Sequence, residues 1–314
     1  MANYCVTGGA GFIGSHIVDE LVLRGEFVRV LDNFETGKKE NLSSVLDKIE
    51  LVEEDIRNFE VCKKITIGID YVLHQAALRS VPKSMFDPIS YNEVNVKGTL
   101  NILMAAQENK VKRVVFASSS SVYGDTAKLP EKETDPPNPI SIYALTKLMG
   151  EYYCKMFTSS FGLETVVLRY FNVFGPRQSL ESQYAVVIPK FVTCMLKNES
   201  PPIHGDGMQS RDFTYVKNVV DVNLIAATSK NSAGEIFNIA CGKSNTILEL
   251  VNQLNKMLKK DMEPVFTPPR HGDVIHTLAD ISKAKNILGF NPIIDFEEGL
   301  GRTIDYFKKV NAKK

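Results

Sequence analysis

The sequence predicts an α/β protein, a doubly wound parallel sheet with a smaller α/β lobe following it. Three observations carry this. Strand and helix signals alternate through the first half of the chain, the pattern that crossover units and a two-sided parallel sheet require. Three glycines, Gly8, Gly11 and Gly14, fall where the first strand gives way to the first helix. The second strand ends in an acid, Asp32. Together these make the sheet one of the Rossmann type.

The elements follow in order. "NYCVT" reads as a strand and "FIGSHIVDELVLRG" as a helix that Gly25 ends. "FVRVLD", "IELVEED" and "YVLHQA" are the next three strands. "YNEVNVKGTLNILMAAQENK" has helical period and leads to the strand "VKRVVFAS". The helix "YALTKLMGEYYCKMF" and the strand "TVVLRYFNV" complete the regular half. After Gly175 the rhythm loosens. "AVVIPKFVTCMLKN", the end of "SRDFTYVKNVVDVNLIAAT", "TILELVNQLNKMLKK", "SKAKNIL" and "FEEGLGRTIDYFKK" read as helices, and "EIFNIA" as a strand. The expected division is a dinucleotide-binding domain over 1–175 with part of 214–240, and a substrate lobe in the remaining segments of 176–314. "KLPEKETDPPNP" is Pro-rich and short, a turn rather than a linker.

Composition narrows the function. The 314 residues are 44% hydrophobic and 24% charged, an ordinary globular profile. Lys+Arg and Asp+Glu both number 37, so no bulk field draws nucleic acid or an anionic membrane. No apolar run approaches the ~20 residues of a membrane helix. The opening "MANYCVTGGAGFIG" has no charged leader and reads as the start of the fold, which points to the cytoplasm. The five cysteines are scattered without C-x-x-C, and the five histidines lack ligand spacing, so neither a disulfide framework nor a metal site is expected. His74 reads as a satisfied structural group at a strand end.

"VTGGAGFIG" is G-x-x-G-x-x-G, a relative of the dinucleotide fingerprint. Glycine permits the tight turn and a close approach to a pyrophosphate, and the helix N-terminus offers that anion free N–H groups. Asp32 stands 18 residues past Gly14. A carboxylate there accepts hydrogen bonds from the adenosine ribose and repels a 2′-phosphate, so NAD is the expected cofactor rather than NADP.

"VVFASSSSVYGD" holds four serines in a row, which a solvated linker would also show. Here they follow a β-branched strand, so they fall at the carboxyl end of the sheet, where open α/β folds bind ligands. One strand later "SIYALTK" sets Tyr143 and Lys147 at i and i+4, on one helix face. Alone, that spacing also fits an exposed helix face. A Tyr titrates near ~10, and an ammonium nearby lowers that value toward a usable base. A hydroxyl from the serine run could share the same substrate oxygen.

On these motifs, with "LDN", "EEDI", "HQAALRSVPKS", "RYFNVFGPRQ", "GDGMQSRDF" and "RHGDV…LADISKA", the sequence resembles the extended short-chain dehydrogenase/reductase family over nearly its whole length, the UDP-sugar 4-epimerases in particular. The resemblance implies that Tyr143 is the catalytic base, Lys147 the group that holds the nicotinamide ribose and tunes it, and Ser119 the third catalytic hydroxyl. It implies a cofactor wall of Gly8, Gly11, Phe12, Ile13, Gly14, Asp32, Asn33, Thr36 and Gly37. It extends that wall to Asp55, Ile56, Gln75, Ala76, Ala77, Asn95, Ser118, Tyr170 and Val173. Toward the sugar it implies Arg79, Ser80, Ser84, Ser120 and Thr277. Toward UDP it implies Asn172, Val187, Ile188, Lys190, Ile203, Arg211, Arg270 and Asp273, the two arginines as forks on the diphosphate. Surface charges are the alternative reading of those arginines.

Relatives on this scaffold run different chemistries. By the same resemblance, nucleotide-sugar 4,6-dehydratases carry an Asp-Glu pair just ahead of the Tyr of "VYG", and UDP-glucuronate decarboxylases tend to carry a Glu. This chain has Ser120 and Ser121 there. Dehydration then lacks its acid and base, and epimerisation by oxidation and hydride return at C4 is implied. A small residue at Thr277 leaves room for an N-acetyl group, so UDP-GlcNAc/UDP-GalNAc leads, with UDP-Glc/UDP-Gal as possible co-substrates. A UDP-uronic acid 4-epimerase stays open, because Arg79 could pair with a sugar carboxylate. So does a non-catalytic NAD or nucleotide-sugar sensor, though the intact Ser119, Tyr143 and Lys147 speak against it. The helices near 91–109 and 143–157 carry apolar residues on more than one face, Tyr152, Tyr153 and Met156 among them, which predicts a homodimer.

Overall fold

The computed structural model describes residues 1–179, 187–269 and 274–311. Strand β1 (Asn3–Thr7) leads into helix α1 (Phe12–Leu23), then β2 (Phe27–Leu31), β3 (Glu50–Val52), α2 (Phe59–Thr66) and β4 (Tyr71–His74). Helices α3 (Val81–Phe86), α4 (Pro88–Tyr91) and α5 (Gly98–Glu108) precede β5 (Arg113–Ser119), α6 (Ile142–Phe161) and β6 (Glu164–Tyr170). The rest comprises β7 (Val173–Phe174), α7 (Val187–Leu196), β8 (Pro202–His204), β9 (Ser210–Arg211), β10 (Thr214–Tyr215), α8 (Val216–Thr228) and β11 (Ile236–Ile239). It ends in β12 (Asn245–Thr246), α9 (Ile247–Leu258), β13 (Val265–Thr267) and α10 (Phe296–Asn311).

Seven strands form one parallel sheet in the order β11-β6-β5-β4-β1-β2-β3. The order reverses between β1 and β4, so a crevice opens there at the strands' carboxyl ends. β5 is buried along almost its whole length, the hydrophobic run of a strand covered on both faces. One core packs α1 and α8 on one face around Ile17, Val30 and Val219; another packs α2 and α5 on the other around Ile65, Ile102 and Phe116. β11 pairs with β6, so a segment from far along the chain closes the sheet. Three two-stranded pieces, β7 with β10, β9 with β12 and β8 with β13, lie outside it.

Local chemistry explains the element ends. Gly25 and Gly162 take positive φ of 74° and 72° after α1 and α6, where side chains would strain the backbone. Thr246 and Glu249 form a reciprocal capping box at the start of α9.

Some elements differ from the sequence expectation. The third strand spans only Glu50–Val52, because the Asp55 carboxylate folds the following residues into a turn through the Arg57 N–H. The stretch 91–110 is not one regular helix: Asn92–Lys97 is a π-helical turn between α4 and α5. That extra residue per turn points Asn95 inward, where its amide meets Leu78 and Thr146. "SKAKNIL" likewise contains a π-helical turn, Ala284–Leu288. "TVVLRYFNV" breaks after Tyr170, since Asn172 adopts φ 34° before β7 resumes.

Candidate active site

A cleft of about 540 Å³ runs along the carboxyl ends of the sheet. At one end the glycine loop forms its floor. Gly8 takes φ 68°, and a Cβ there would come within 2.7 Å of the Ala76 amide nitrogen. A Cβ on Gly14 would come within 2.1 Å of the Gly8 carbonyl oxygen, so only glycine lets α1 seat on the loop. Gly11 caps α1 without a side chain and no acid lies in the first turn. The helix end therefore keeps N–H groups and positive dipole for an anion. This donor set fits a dinucleotide pyrophosphate.

Asp32 is buried beside it. Its carboxylate accepts from the Ala10 and Phe34 amides at 2.9 and 2.8 Å. Burial raises its pKa, and these two bonds oppose the rise. It thus pins the glycine loop as well as facing the cleft. Gly37 is packed against it: a Cβ there would lie 2.7 Å from the carboxylate. Asp55 accepts from Asn33 at 2.7 Å, and its bonds to Arg57 and Asn33 hold its pKa down against desolvation. Gln75 donates to Tyr170 and Asn223 at 3.1 and 3.0 Å. Beneath this wall His74 bonds Thr7 at 2.6 Å and Thr99 at 3.0 Å. Full burial lowers its pKa to about 3, so it is neutral and structural as the sequence indicated.

The chemistry sits at the middle. β5 ends at Ser119, whose oxygen accepts from the Ser121 amide and hydroxyl at 3.2 and 2.9 Å. Ser141 caps α6 through the Ala144 amide, which sets the first turn that carries Tyr143. Ser84 is buried and receives the Tyr143 amide at 3.1 Å. The Tyr143 phenol is raised by desolvation, then lowered in part by a hydrogen bond with Ser119 and the charge of Arg79. Lys147 donates to the Ala117 carbonyl at 2.9 Å and lies over the Phe116 ring at 5.2 Å. Burial lowers its pKa to about 8, against the charge of Glu151 and Cys154. The sequence pointed to Lys147 as the cation that tunes the tyrosine. In this structure the charge of Arg79 lowers the Tyr143 pKa, and the Lys147 ammonium lies 6.0 Å from the centre of the Tyr143 ring.

At the far end Thr277 accepts from the Asn172 amide at 2.9 Å and the Asp212 N–H at 3.2 Å. Arg211 donates to the Ser210 and Ile275 carbonyls at 2.9 Å each. Asn172, Arg211 and Thr277 line the cleft together with Arg79, Ser119 and Ser120. Phe12, Ile13, Thr36, Ile56, Ala77, Ser118 and Val173, which the resemblance implied for the cofactor, line it too.

Other expected residues stand away from its walls. Asn95 supports Leu78 from behind, and Ser80 caps α3. Val187, Ile188 and Lys190 sit on α7, with Ile188 in the core, and Ile203 is equally buried. Arg270 and Asp273 lie outside the described residues.

The sequence reading passed over Glu131, which is 1% exposed yet borders the cleft, with one oxygen unpartnered. Its loop read only as a Pro-rich turn. It also passed over Glu151, four residues past Lys147, a spacing that could have shown it.

The chain is similar to several known proteins. Methanobrevibacter ruminantium M1 UDP-N-acetylglucosamine 4-epimerase, solved with UDP-N-acetylmuramic acid, is 44% identical, with a TM-score of 0.95 over 98% of this chain and 99% of that one. Thermotoga maritima UDP-glucose 4-epimerase, solved with UDP-glucose, is 40% identical, with a TM-score of 0.94 over 98% and 99%. Bacillus cereus UDP-glucuronic acid 4-epimerase, solved with UDP-glucuronic acid and NAD, is 34% identical, with a TM-score of 0.91 over 98% and 99%. Residues 4–240 match the NAD dependent epimerase/dehydratase family, and with a glycine loop that only glycine can build and a serine–tyrosine pair at the sheet's carboxyl edge, this chain belongs to it.

Proposed function

We propose that this chain is an NAD-dependent UDP-sugar 4-epimerase that interconverts UDP-GlcNAc and UDP-GalNAc, with UDP-Glc and UDP-Gal as further substrates. The observation that carries the reading is that Ser119, Tyr143 and Lys147 line one cleft with positions 120 and 121, which hold serines instead of carboxylates. NAD, when bound, supplies an acceptor for the C4 hydride that can also give it back. Tyr143 takes the proton of the sugar 4-hydroxyl, and Ser119 holds the same oxygen. Arg79 and Ser119 both favour the phenolate that this step needs. Lys147 would hold the nicotinamide ribose. The keto sugar turns about its diphosphate link and offers the other face of C4 to hydride return, and Tyr143 gives the proton back to the C4 oxygen. Positions 120 and 121 thus lack the acid/base pair that dehydration would use there.

Thr277 is small and borders the sugar end, which supports an N-acetyl substrate. Arg79 on the same wall supports a second reading, a sugar carboxylate, and so a UDP-uronic acid substrate. On the favoured reading, residues 1–175 with part of 214–240 bind NAD, and the remaining segments of 176–314 bind the UDP-sugar. Arg270 and Asp273 belong to that lobe. The protein acts as a homodimer, because α3, α4 and α6 pack together and expose Met85, Phe86, Ile89 and Met156.

Incubation with UDP-GlcNAc, UDP-Glc and UDP-GlcA in parallel, with products resolved by NMR at C4, tests this. Formation of the 4-epimer from UDP-GlcNAc, lost by roughly 10²-fold or more in Tyr143→Phe, is the expected result. Turnover of UDP-GlcA alone would overturn the substrate reading, and no conversion of any of the three would overturn the activity.

A further inference from the structure

Beneath the serine run lies a buried ion pair that the proposed chemistry does not use. Arg169 on β6 grips Glu151 on α6 through Nε at 2.9 Å and Nη2 at 2.7 Å, and both side chains are 2% exposed. The same Glu151 oxygen accepts the Ser118 hydroxyl at 2.5 Å. The arginine lies over the Tyr123 ring at 4.7 Å, and Tyr123 donates to Asn238 on β11 at 2.6 Å. Asn238 in turn donates to the Glu131 carbonyl at 2.9 Å and the Asp280 carbonyl at 3.3 Å, in the segment that follows Thr277. One network thus ties the catalytic helix, the strand that presents Ser119, and the loops at the sugar end of the cleft.

We infer that Glu151 is a positioning residue for the epimerisation proposed above, an inference that rests on that reading: its carboxylate fixes Ser118, the neighbour of Ser119, and places a fixed negative charge one helical turn from Lys147.

A buried ion pair is a weak contributor to stability, because desolvation consumes the Coulomb gain, and well-packed apolar side chains can replace it. A pair kept for packing alone could lose its charge without consequence for chemistry. Here the charge has a neighbour it can act on. Lys147 and Glu151 stand at i and i+4, on one face of α6. Among the described residues, the other groups around Lys147 are an aromatic ring, a backbone carbonyl, a neutral imidazole, a buried thiol and the phenol that the step itself ionises. From its own helix it meets the Cys154 thiol, whose pKa burial raises, and the Tyr143 ring at 6.0 Å. β5 contributes the Ala117 carbonyl and the Phe116 ring, and β4 contributes His74, which is neutral. Burial depletes the ammonium, and Glu151 favours it. The carboxylate therefore adds to the field that favours the Lys147 ammonium against burial. The Ser118 bond keeps the strand end in register with α6.

The test labels lysine with ¹³C at Cε and follows the Lys147 resonance, assigned by its absence in Lys147→Arg, against pH in the full-length protein. In Glu151→Gln the midpoint moves to lower pH by roughly one unit, and the alkaline limb of kcat moves with it while KM for the sugar changes less. Glu151→Gln leaves Arg169 uncompensated and can fail to fold, so the paired variant Glu151→Gln/Arg169→Met removes both charges. A downward shift in the folded pair relative to Arg169→Met supports the assignment. A Lys147 midpoint no lower in the folded pair than in Arg169→Met overturns it, whatever happens to turnover. If the wild type epimerises none of the sugars, the proposed function falls, and the lysine titration alone decides the role of Glu151.

Discussion

Lys147 carries the clearest pH dependence of any single residue in the cleft. Its pKa is lowered to about 8 by burial, so its cationic form is present below that value and is lost as pH rises through it. Activity should decline across the same range, and a rate profile extended above pH 8 checks this. Glu131 makes a stability prediction. Desolvation raises its pKa from 4.5 to about 8, Asp212 and Asp135 adding to the rise, while a bond from the Leu278 N–H opposes it. Between those values the folded chain holds a proton that the unfolded chain has lost, so this residue's contribution falls as pH rises. Glu131→Gln should therefore gain stability relative to the wild type across that window, by at most about 1.4 kcal/mol per pH unit. Denaturant titrations at several pH values measure it, and parallel curves would contradict it. Thr277→Tyr should break the Asn172 bond and fill the space at the sugar end. Turnover of UDP-GlcNAc should then fall more than that of UDP-Glc, as the ratio of their kcat/KM values would report.

At the scale of elements, the glycine loop was the most legible part of the site. The spacing Gly8, Gly11, Gly14 states its own physics, and the Cβ positions explain each residue. Gly14→Ala forces a methyl toward the Gly8 carbonyl, 2.1 Å away at the unrelaxed position. It should cost about 1–3 kcal/mol of stability and weaken NAD binding, readable by thermal melts with and without the cofactor. The π-helical turn at Asn92–Lys97 was not legible, because periodicity over twenty residues averages away one inserted residue. Asn95 was placed at the cofactor wall by resemblance, but nothing in the spacing showed that its amide would bracket Leu78. The Glu151–Arg169 pair was hidden for a related reason: its two members lie on different elements, and only the packing of α6 on β6 brings them together. Ser118 shows the same limit. It lines the cleft, and its hydroxyl bond to Glu151 could not be read from the sequence.

At the scale of the molecule, the parallel sheet could be read from the alternation of strands and helices, whereas the strand order and the return of β11 beside β6 needed the three-dimensional fold. The small two-stranded pieces of the second half have strands of only two or three residues, too short for period-2 patterning to register. Among the described residues no helix is long and apolar enough to cross a membrane. The exposed Phe86 and Ile89, at 83% and 75%, sit beside the catalytic helix. Light scattering should give twice the mass of the chain, and Ile89→Lys should shift it toward the single-chain value. The account stands or falls on oxidation and return at one carbon. Turnover of UDP-GlcNAc deuterated at C4, with both epimers isolated and the label located by NMR, tests that most directly. Deuterium retained at C4 of the product, with no exchange into solvent, is the predicted result. Label lost to water, or found at another carbon, would contradict it.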